Sequence, residues 1–270
     1  MLALQEIKSL VPAAFRTAEE GAATGASNKY QFMTTSDLID IMANLGWYVV
    51  DGKQQKTKGD VTTAKHMLRF RNPDIQWNNG TVPEILVINS HNRTSPFTFH
   101  LAIFRFICGN GLVIADKTFN KYTVRHMYTS FEMVTKIITE LTQKFPLLLE
   151  RVQQFERTIL TPEAQIELAQ RALAVRHPEY LDTVTGQVRV DMINKAVDIQ
   201  SILQTVRTED EGANLWVVFN KVQEHVIKGG YVRQGNGKKP ITARELTNIK
   251  MVQNVNTGIW QVASDYLFKG

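Results

Sequence analysis

The chain has 270 residues, of which 43% are hydrophobic and 21% charged, and its formal net charge at pH 7 is +5. These fractions are ordinary for globular proteins, so they exclude the disordered, collagen-like and disulfide-rich classes. The single cysteine cannot form an internal disulfide, and the length allows one large core or two modest ones.

The N-terminal segment does not have the form of an export signal. Its sequence, MLALQEIKSLVPAAF, mixes acid and base and lacks an apolar run followed by a small-residue cleavage site. No apolar run along the chain reaches the length that crosses a bilayer. We therefore expect a cytoplasmic protein with no membrane partner. Residues 21–28 (GAATGASN) are small and polar, which predicts a flexible link between a short N-terminal element and the body.

An amphipathic helix is the first element predicted after the link. Thr35 or Ser36 would cap it, and Gly46 would end it. Its apolar positions follow the i, i+3, i+4, i+7 rule: Leu38, Ile41, Met42 and Leu45.

Two strands joined by a basic loop are predicted next, at residues 46–50 and 65–71. The first segment is rich in aromatic and β-branched residues, and the second alternates in polarity. The polar stretch DGKQQKTKGDVTT separates them. Side chains alternate along a strand, so His66, Leu68 and Phe70 should form an apolar face of the second strand. Arg69 and Arg71 should lie on the other, cationic face.

Further strands are predicted at residues 82–89 and 97–108, the second passing into a helical turn that Gly-Asn-Gly at 109–111 ends. From about residue 124 the pattern becomes helical, with a break at Pro146 and a new start at Thr161-Pro162. Helices then follow at 191–203, 214–228, 242–254 and 259–268, the third opening on a Thr242/Glu245 capping box.

This order predicts an α+β fold, with an N-terminal antiparallel sheet and packed helices followed by a helical C-terminal half. Three regions are expected. Residues 1–29 form an N-terminal element and flexible link, 30–158 an α+β nucleic-acid-binding core, and 159–270 a helical C-terminal region.

The basic residues are segregated, which matters more than the modest net charge. A polarised positive surface is most often a phosphate-binding one, and it predicts these nucleic-acid contacts: Lys53, Lys56, Lys58, Lys65, Arg69, Arg71, Arg93, Lys238 and Lys239. Aromatic residues interleave with the first group, and single strands are held by cationic grooves with stacking platforms. The stacking candidates are Trp47, Tyr48 and Trp77. The alternative is a set of core aromatics beneath ordinary surface charges.

Chemistry-bearing motifs are weak by comparison. The glycine-rich segment 229–239 lacks the spacing and the Ser or Thr of a phosphate loop, and the histidines have no metal-ligand spacing. We therefore predict no catalytic residue, no metal and no cofactor. His91 is more simply a solvated turn histidine than a base. Asp74 and Glu84 are the only carboxylates that approach a nuclease pattern.

Several runs along the chain carry a family resemblance. Residues 65–71 (KHMLRFR), 82–91 (VPEILVINSH) and 104–113 (FRFICGNGLV), with NLW at 214–216, QEHVIKGG at 223–230 and Trp260, resemble the phage/plasmid-like protein family filed as domain of unknown function 932. The resemblance extends from about residue 30 to the end. It implies a mobile-element origin in a bacterial host cell and no particular activity. Where the family often has His-Asp, this chain has His91-Asn92, which weakens any scheme needing a carboxylate there.

The order of predicted elements is also loosely similar to the core of single-strand annealing proteins of the Rad52 and phage recombinase type, although fold does not give function. The leading hypothesis is a homo-oligomeric, mobile-element protein that binds single-stranded DNA and promotes annealing in recombination. With about four phosphates contacted, the salt slope would be about −3. The first alternative is a protein-interaction factor that engages host defence or replication machinery, suggested by Trp216 and the acidic turn 209–211. A metal-dependent nuclease is the weaker alternative.

Overall fold

The computed structural model describes residues 1–17, 19–20, 33–75, 80–91, 95–106, 110–114 (backbone only), 119, 121–124, 130–234 and 239–268. The chain divides into two compact units, Met1–Phe145 and Pro146–Gly270. The predicted link at 21–28 lies outside the described residues. The fold class is α+β, with an N-terminal antiparallel sheet and a helical C-terminal half, as predicted.

The first unit is built on one antiparallel sheet with helices. Its helices are α1 (Leu4–Leu10), α2 (Thr35–Asn44) and α3 (Phe131–Gln143). Its strands are β1 (Tyr48–Gln54), β2 (His66–Arg71), β3 (Thr81–Asn89), β4 (Phe97–Arg105), β5 (Asn110–Ile114) and β6 (Tyr122–Val124). The strands lie in the order β1-β2-β3-β4-β5, and β6 pairs with the beginning of β4.

The register of β1 and β2 sets the geometry of the basic loop. Tyr48 lies opposite Arg71 and Gln54 opposite His66, with an irregularity between Val49 and Asp51. The two strands therefore form a hairpin whose connection is residues 55–65. Strands β5 and β6 were not predicted, and β5 begins within the Gly-Asn-Gly segment that was expected to end a helical turn.

Helix α2 begins one or two residues earlier than the predicted caps Thr35 and Ser36 imply. Thr34 is the N-cap, and its hydroxyl accepts a hydrogen bond from the Asp37 amide, while the Asp37 carboxylate accepts one from the Thr34 amide. This reciprocal pair satisfies two backbone donors at the helix start. Thr35, predicted as a cap, is instead 1% exposed and contributes its hydroxyl to the interior.

His100, on β4, couples the stability of the first unit to pH. It is 1% exposed, and burial, with a smaller effect of Lys121, lowers its pKa to about 3. An unfolded histidine titrates near 6.5, so the unfolded state binds the extra proton between these values. The contribution of His100 to the free energy of unfolding is therefore fully present above about pH 6.5, and it is lost as the pH falls towards 3. We expect a loss of up to about 2 kcal/mol between pH 7 and pH 5.

Urea unfolding at pH 7 and pH 5 measures this loss, and in His100→Gln the difference between the two pH values should shrink by that amount. An unchanged difference in the variant would assign the pH dependence to other groups. His225→Gln, in the second unit, is the control substitution.

The second unit is mainly helical. It contains α4 (Phe145–Arg157), whose first residue still belongs to the first unit, and then α5 (Pro162–Arg176), α6 (Val190–Ala196), α7 (Gln200–Leu203), α8 (Leu215–Lys228) and α9 (Ile249–Ser264). Strands β7 (Val232–Arg233) and β8 (Ile241–Thr242) pair with each other in a two-stranded antiparallel ribbon. The core contains Phe155, Phe219 and Trp260, with ring centroids 4.9–6.1 Å apart. Among the described residues, no helix combines the length and apolar character that crossing a bilayer requires.

Three predicted helices in this unit have different bounds. The helix predicted at 191–203 is interrupted because Val197 pairs with Arg233. Thr242 lies in β8, so the predicted capping box does not form, and Asn248 caps α9 instead. Helix α9 also passes through the predicted break at 255–258. Its Gly258 faces Val175 so closely that a Cβ would lie 2.4 Å from that side chain, which explains a glycine inside a continuous helix.

Candidate nucleic-acid interface

The N-terminal segment packs against the β1–β2 loop. The Leu2 amide donates to the Val49 carbonyl at 2.9 Å, and the Ala13 amide donates to Gln54 Oε1 at 2.8 Å. Gln54 Nε2 in turn donates to the Val61 carbonyl at 2.7 Å. One side chain thus joins the N-terminal segment to the far side of the loop, so the loop is held by more than its own hairpin.

Asp60 is the only acidic residue in this loop, and Arg16 neutralises it. Arg16 Nη1 donates to Asp60 Oδ2 at 2.7 Å and to Thr62 Oγ1 at 2.6 Å. Hydrogen bonds from Thr62 and then from Arg16 lower the pKa of Asp60 to about 2, so it stays ionised and paired. The loop therefore presents its lysines without a competing carboxylate of its own.

The structure brings the four predicted lysines together on this hairpin. Lys56 and Lys58 are exposed on the loop, and Lys53 and Lys65 are half-buried where the strands meet it. Within the described part of the chain, no carboxylate forms a salt bridge with Lys53, Lys56 or Lys58. These three ammonium groups are available to a polyanion.

Arg69 and Arg71 have a different environment from the one expected. Arg69 Nε and Nη2 bind the two oxygens of Glu84 at 2.7 and 2.9 Å, and Arg71 Nη2 binds Glu84 Oε1 at 2.6 Å. Arg69 Nη1 also donates to Asp51 at 2.9 Å. Glu84 is completely buried, and Arg69 is 9% exposed. The face predicted as cationic is thus neutralised by two carboxylates.

Aromatic rings complete this cluster. The Arg69 guanidinium lies 4.1 Å from the centroid of Phe104, and that of Arg71 lies 4.9 Å from the centroid of Phe106. Cation–π contact and bidentate pairing together fix the guanidinium of Arg69. We correct the assignment of Arg69 from phosphate contact to structural support. Arg71 binds Glu84 through one nitrogen, and 23% of its side chain is exposed.

The two predicted stacking residues that the structure describes, Trp47 and Tyr48, differ in burial. Trp47 is 2% exposed and stacks on Phe145 at 5.6 Å between ring centroids, so it cannot offer a face to a base. Its assignment as a stacking platform is wrong, because the aromatic character of this segment serves the core. Tyr48 is 37% exposed, opposite Arg71. Trp77 lies outside the described residues.

The remaining predicted contacts are not part of this hairpin. Lys239 is exposed in the second unit, just before β8. Arg93 and Lys238 lie outside the described residues.

The features that suggested the two alternative functions are partly buried, although Glu209, Glu211 and Asp74 are exposed. Trp216 is 6% exposed and stacks on Phe219 at 5.8 Å. Asp210 is 2% exposed and accepts from Arg207 at 2.9 Å, so the acidic turn 209–211 is partly a buried ion pair. Glu84, the key carboxylate of the nuclease hypothesis, has both oxygens bound by arginine. In the described ranges, no group of three or more His, Cys, Asp or Glu residues could hold a metal ion.

A buried polar cluster was missed by the sequence analysis. Thr35 Oγ1 lies 2.9 Å from His66 Nε2, 3.2 Å from His91 Nε2 and 3.1 Å from Asn89 Nδ2, which donates to it. All four residues are at most 3% exposed. His91, predicted as a solvated turn residue, is thus internal, and the cluster ties the start of α2 to β2 and the end of β3.

The proton positions follow from the partners. The carbonyl of Ala64 can only accept, so His66 donates to it through Nδ1 at 2.9 Å. In a neutral ring, His66 Nε2 then accepts the hydroxyl proton of Thr35. Thr35 Oγ1 is left as acceptor for Asn89 and for the Nε2–H of His91. One hydroxyl therefore organises three other polar side chains. The sequence signal for this cluster was a polar residue at the end of each of two mainly apolar strands, His66 in β2 and Asn89 in β3.

Comparison with known proteins gives a family but no activity. Residues 24–247 match the family model described as "Domain of unknown function (DUF932)". The chain is 29% identical over 269 residues to UPF0380 protein YafZ of Escherichia coli (strain K12), and 28% identical over 269 residues to UPF0380 protein YfjQ of the same organism. Each alignment covers 98% of this chain and 92% of the relative. No solved structure matches the chain significantly. Because the family model covers most of its length, the chain belongs to the DUF932 family.

Proposed function

We propose that this chain is a nucleic-acid-binding protein whose primary contact surface consists of Lys56 and Lys58 on the β1–β2 loop and Lys53 near the end of β1. The observation that carries the proposal is the removal of negative charge from the loop. Asp60 is paired with Arg16, and the lysines have no carboxylate salt-bridge partner among the described residues. A phosphate backbone is the commonest partner of such a surface.

The loop is also held in place before any ligand binds. Gln54 connects Ala13 to Val61, and Arg16 connects the N-terminal segment to Asp60 and Thr62. A surface already ordered loses less conformational entropy on binding than a free loop does. The order of the loop therefore favours a binding role for its lysines over the view that the loop is only a flexible connection between two strands.

We further propose single-stranded DNA as the substrate, annealing during recombination as the activity, a homo-oligomer as the working form, and a phage or plasmid as the source. These four statements are the hypothesis that the sequence suggested. The structure narrows its contact set, because Trp47 is buried and Arg69 is occupied by Glu84. A host protein partner stays a separate proposal.

The test is a combined Lys53→Gln, Lys56→Gln and Lys58→Gln variant, titrated against a fluorescent 20-nucleotide oligo(dT) by anisotropy. The wild type should bind at low salt. The variant should bind about 10- to 100-fold more weakly, and the slope of log affinity against log salt should become shallower by about 2. Circular dichroism checks that the variant is folded.

The matched control changes the same net charge elsewhere. Lys136, Lys195 and Lys250 are exposed on helices, and their combined change to Gln should leave the salt slope nearly intact. If both triple variants weaken binding equally, net charge alone governs the interaction and the β1–β2 loop is not the interface.

A further inference from the structure

A cleft lies beside the lysines of the β1–β2 loop. Its volume is about 340 Å³, at the lower end of the range for small-ligand sites. One wall is apolar, formed by Leu10, Pro12 and Val61, and the other is polar, formed by the segment from Gln54 to Thr57. The cleft therefore presents apolar and hydrogen-bonding surfaces to the same small volume.

The two walls are fixed relative to each other. Gln54 accepts from the Ala13 amide and donates to the Val61 carbonyl, so its amide group crosses from one wall to the other. Each end of this amide makes one hydrogen bond within the chain, so Gln54 holds the two walls together. The cleft is thus formed in the unliganded chain.

The remaining polar groups are suited to a nucleotide. Lys56 is exposed at the cleft, and its ammonium group matches a phosphate. The Gln55 side chain forms no hydrogen bond within the described segments, so its amide can both donate to and accept from a base edge. Leu10 and Val61 are 48% and 52% exposed, which leaves apolar surface for the flat face of a base.

We infer that this cleft receives one unstacked nucleobase, with Leu10 and Val61 against its face, Gln55 at its edge and Lys56 on the adjoining phosphate. This inference rests on the proposed function and adds a base-binding subsite to it. A base within a duplex is stacked and paired, so the cleft favours single strands. It also supplies the base contact that the buried Trp47 cannot make.

The test uses two strands with the same phosphates, oligo(dT) and an abasic oligomer of equal length, in anisotropy titrations at fixed salt. We expect the wild-type chain to bind the abasic strand about tenfold more weakly, because the apolar contact with the base is lost. A double Leu10→Ser, Val61→Ser variant should lose about the same factor on oligo(dT) and almost nothing on the abasic strand. Ile159→Ser, at a position 71% exposed in the second unit, is the control.

The outcomes separate the two proposals. If neither strand binds, the proposed function is wrong, and this inference falls with it. If both strands bind equally, the phosphate site stands and the base cleft is refuted. If the double variant weakens binding of both strands alike, the substitutions act on the lysine loop as a whole, and the cleft is again refuted.

Discussion

Replacing Glu84 with Gln should destabilise the first unit by about 3–5 kcal/mol. Glu84 is completely buried and binds both Arg69 and Arg71. Among the described residues, the loss of its charge therefore leaves Asp51 alone to offset two guanidinium ions. A glutamine would also place an N–H donor among donors. Urea unfolding followed by circular dichroism measures the change, as a lower midpoint for the variant.

Asp51→Asn is the matched control, because Asp51 binds the same arginine from a side chain that is 50% exposed. Exposed ion pairs contribute little, so we expect a loss below about 1 kcal/mol. Equal stability of Glu84→Gln and the wild type would contradict the assignment of Arg69 to structural support and would return Arg69 to the set of available cations.

Replacing Thr35 with Val should cost about 2–4 kcal/mol, the second large effect. Valine preserves the shape but removes the hydroxyl that joins His66, His91 and Asn89 in the interior. A buried polar group that loses its partner pays its desolvation cost without compensation. Thermal and urea unfolding of the purified variant give the loss directly.

Thr139→Val provides the comparison within the same unit. Thr139 is exposed on α3, and its hydroxyl donates only to the Thr135 carbonyl of its own helix at 2.9 Å. We expect a change within about 0.5 kcal/mol there. Similar losses at both positions would mean that the cluster has no special role in the first unit.

The secondary structure followed from local patterns where these patterns were complete. The α2 apolar repeat, the alternation in β2 and the extent of the helix predicted at 214–228, now α8, each depend on residues close in sequence. The errors came from distant contacts. The gap predicted at 255–258 was wrong because the close packing of Gly258 against Val175, which is distant in sequence, cannot be inferred from residue spacing. Thr242 had the chemistry of a cap, but pairing with Val232 places it in a strand.

The candidate site could be predicted only in part, for the same reason. The lysines of the β1–β2 loop are adjacent along the chain, so their grouping was visible. The pairing of Arg69 with Glu84 joins two strands, and that of Asp60 with Arg16 joins the loop to the N-terminal segment. Counting charges in a window therefore overestimated the cationic face at Arg69. It also missed that Asp60 was already neutralised.

The aromatic residues show the same limit. Trp47 and Tyr48 are neighbours in sequence and looked equivalent, but one is 2% and the other 37% exposed. Trp47 immediately precedes β1 and Tyr48 begins it, and the packing of Phe145 against Trp47 shows which of the two side chains is covered. The cleft beside Lys56 had no sequence signal, since Leu10 and Pro12 are distant in sequence from the other lining residues, which lie between Gln54 and Val61.

The most direct test of the central claim is the affinity of the wild-type chain for a labelled 20-nucleotide oligo(dT) at 50 and 200 mM salt. If Lys53, Lys56 and Lys58 contact phosphate, affinity should fall by about 20-fold over this range, and more if further cations contribute. Absence of binding at 50 mM salt, or binding that does not respond to salt, would contradict the assignment of this loop to nucleic acid.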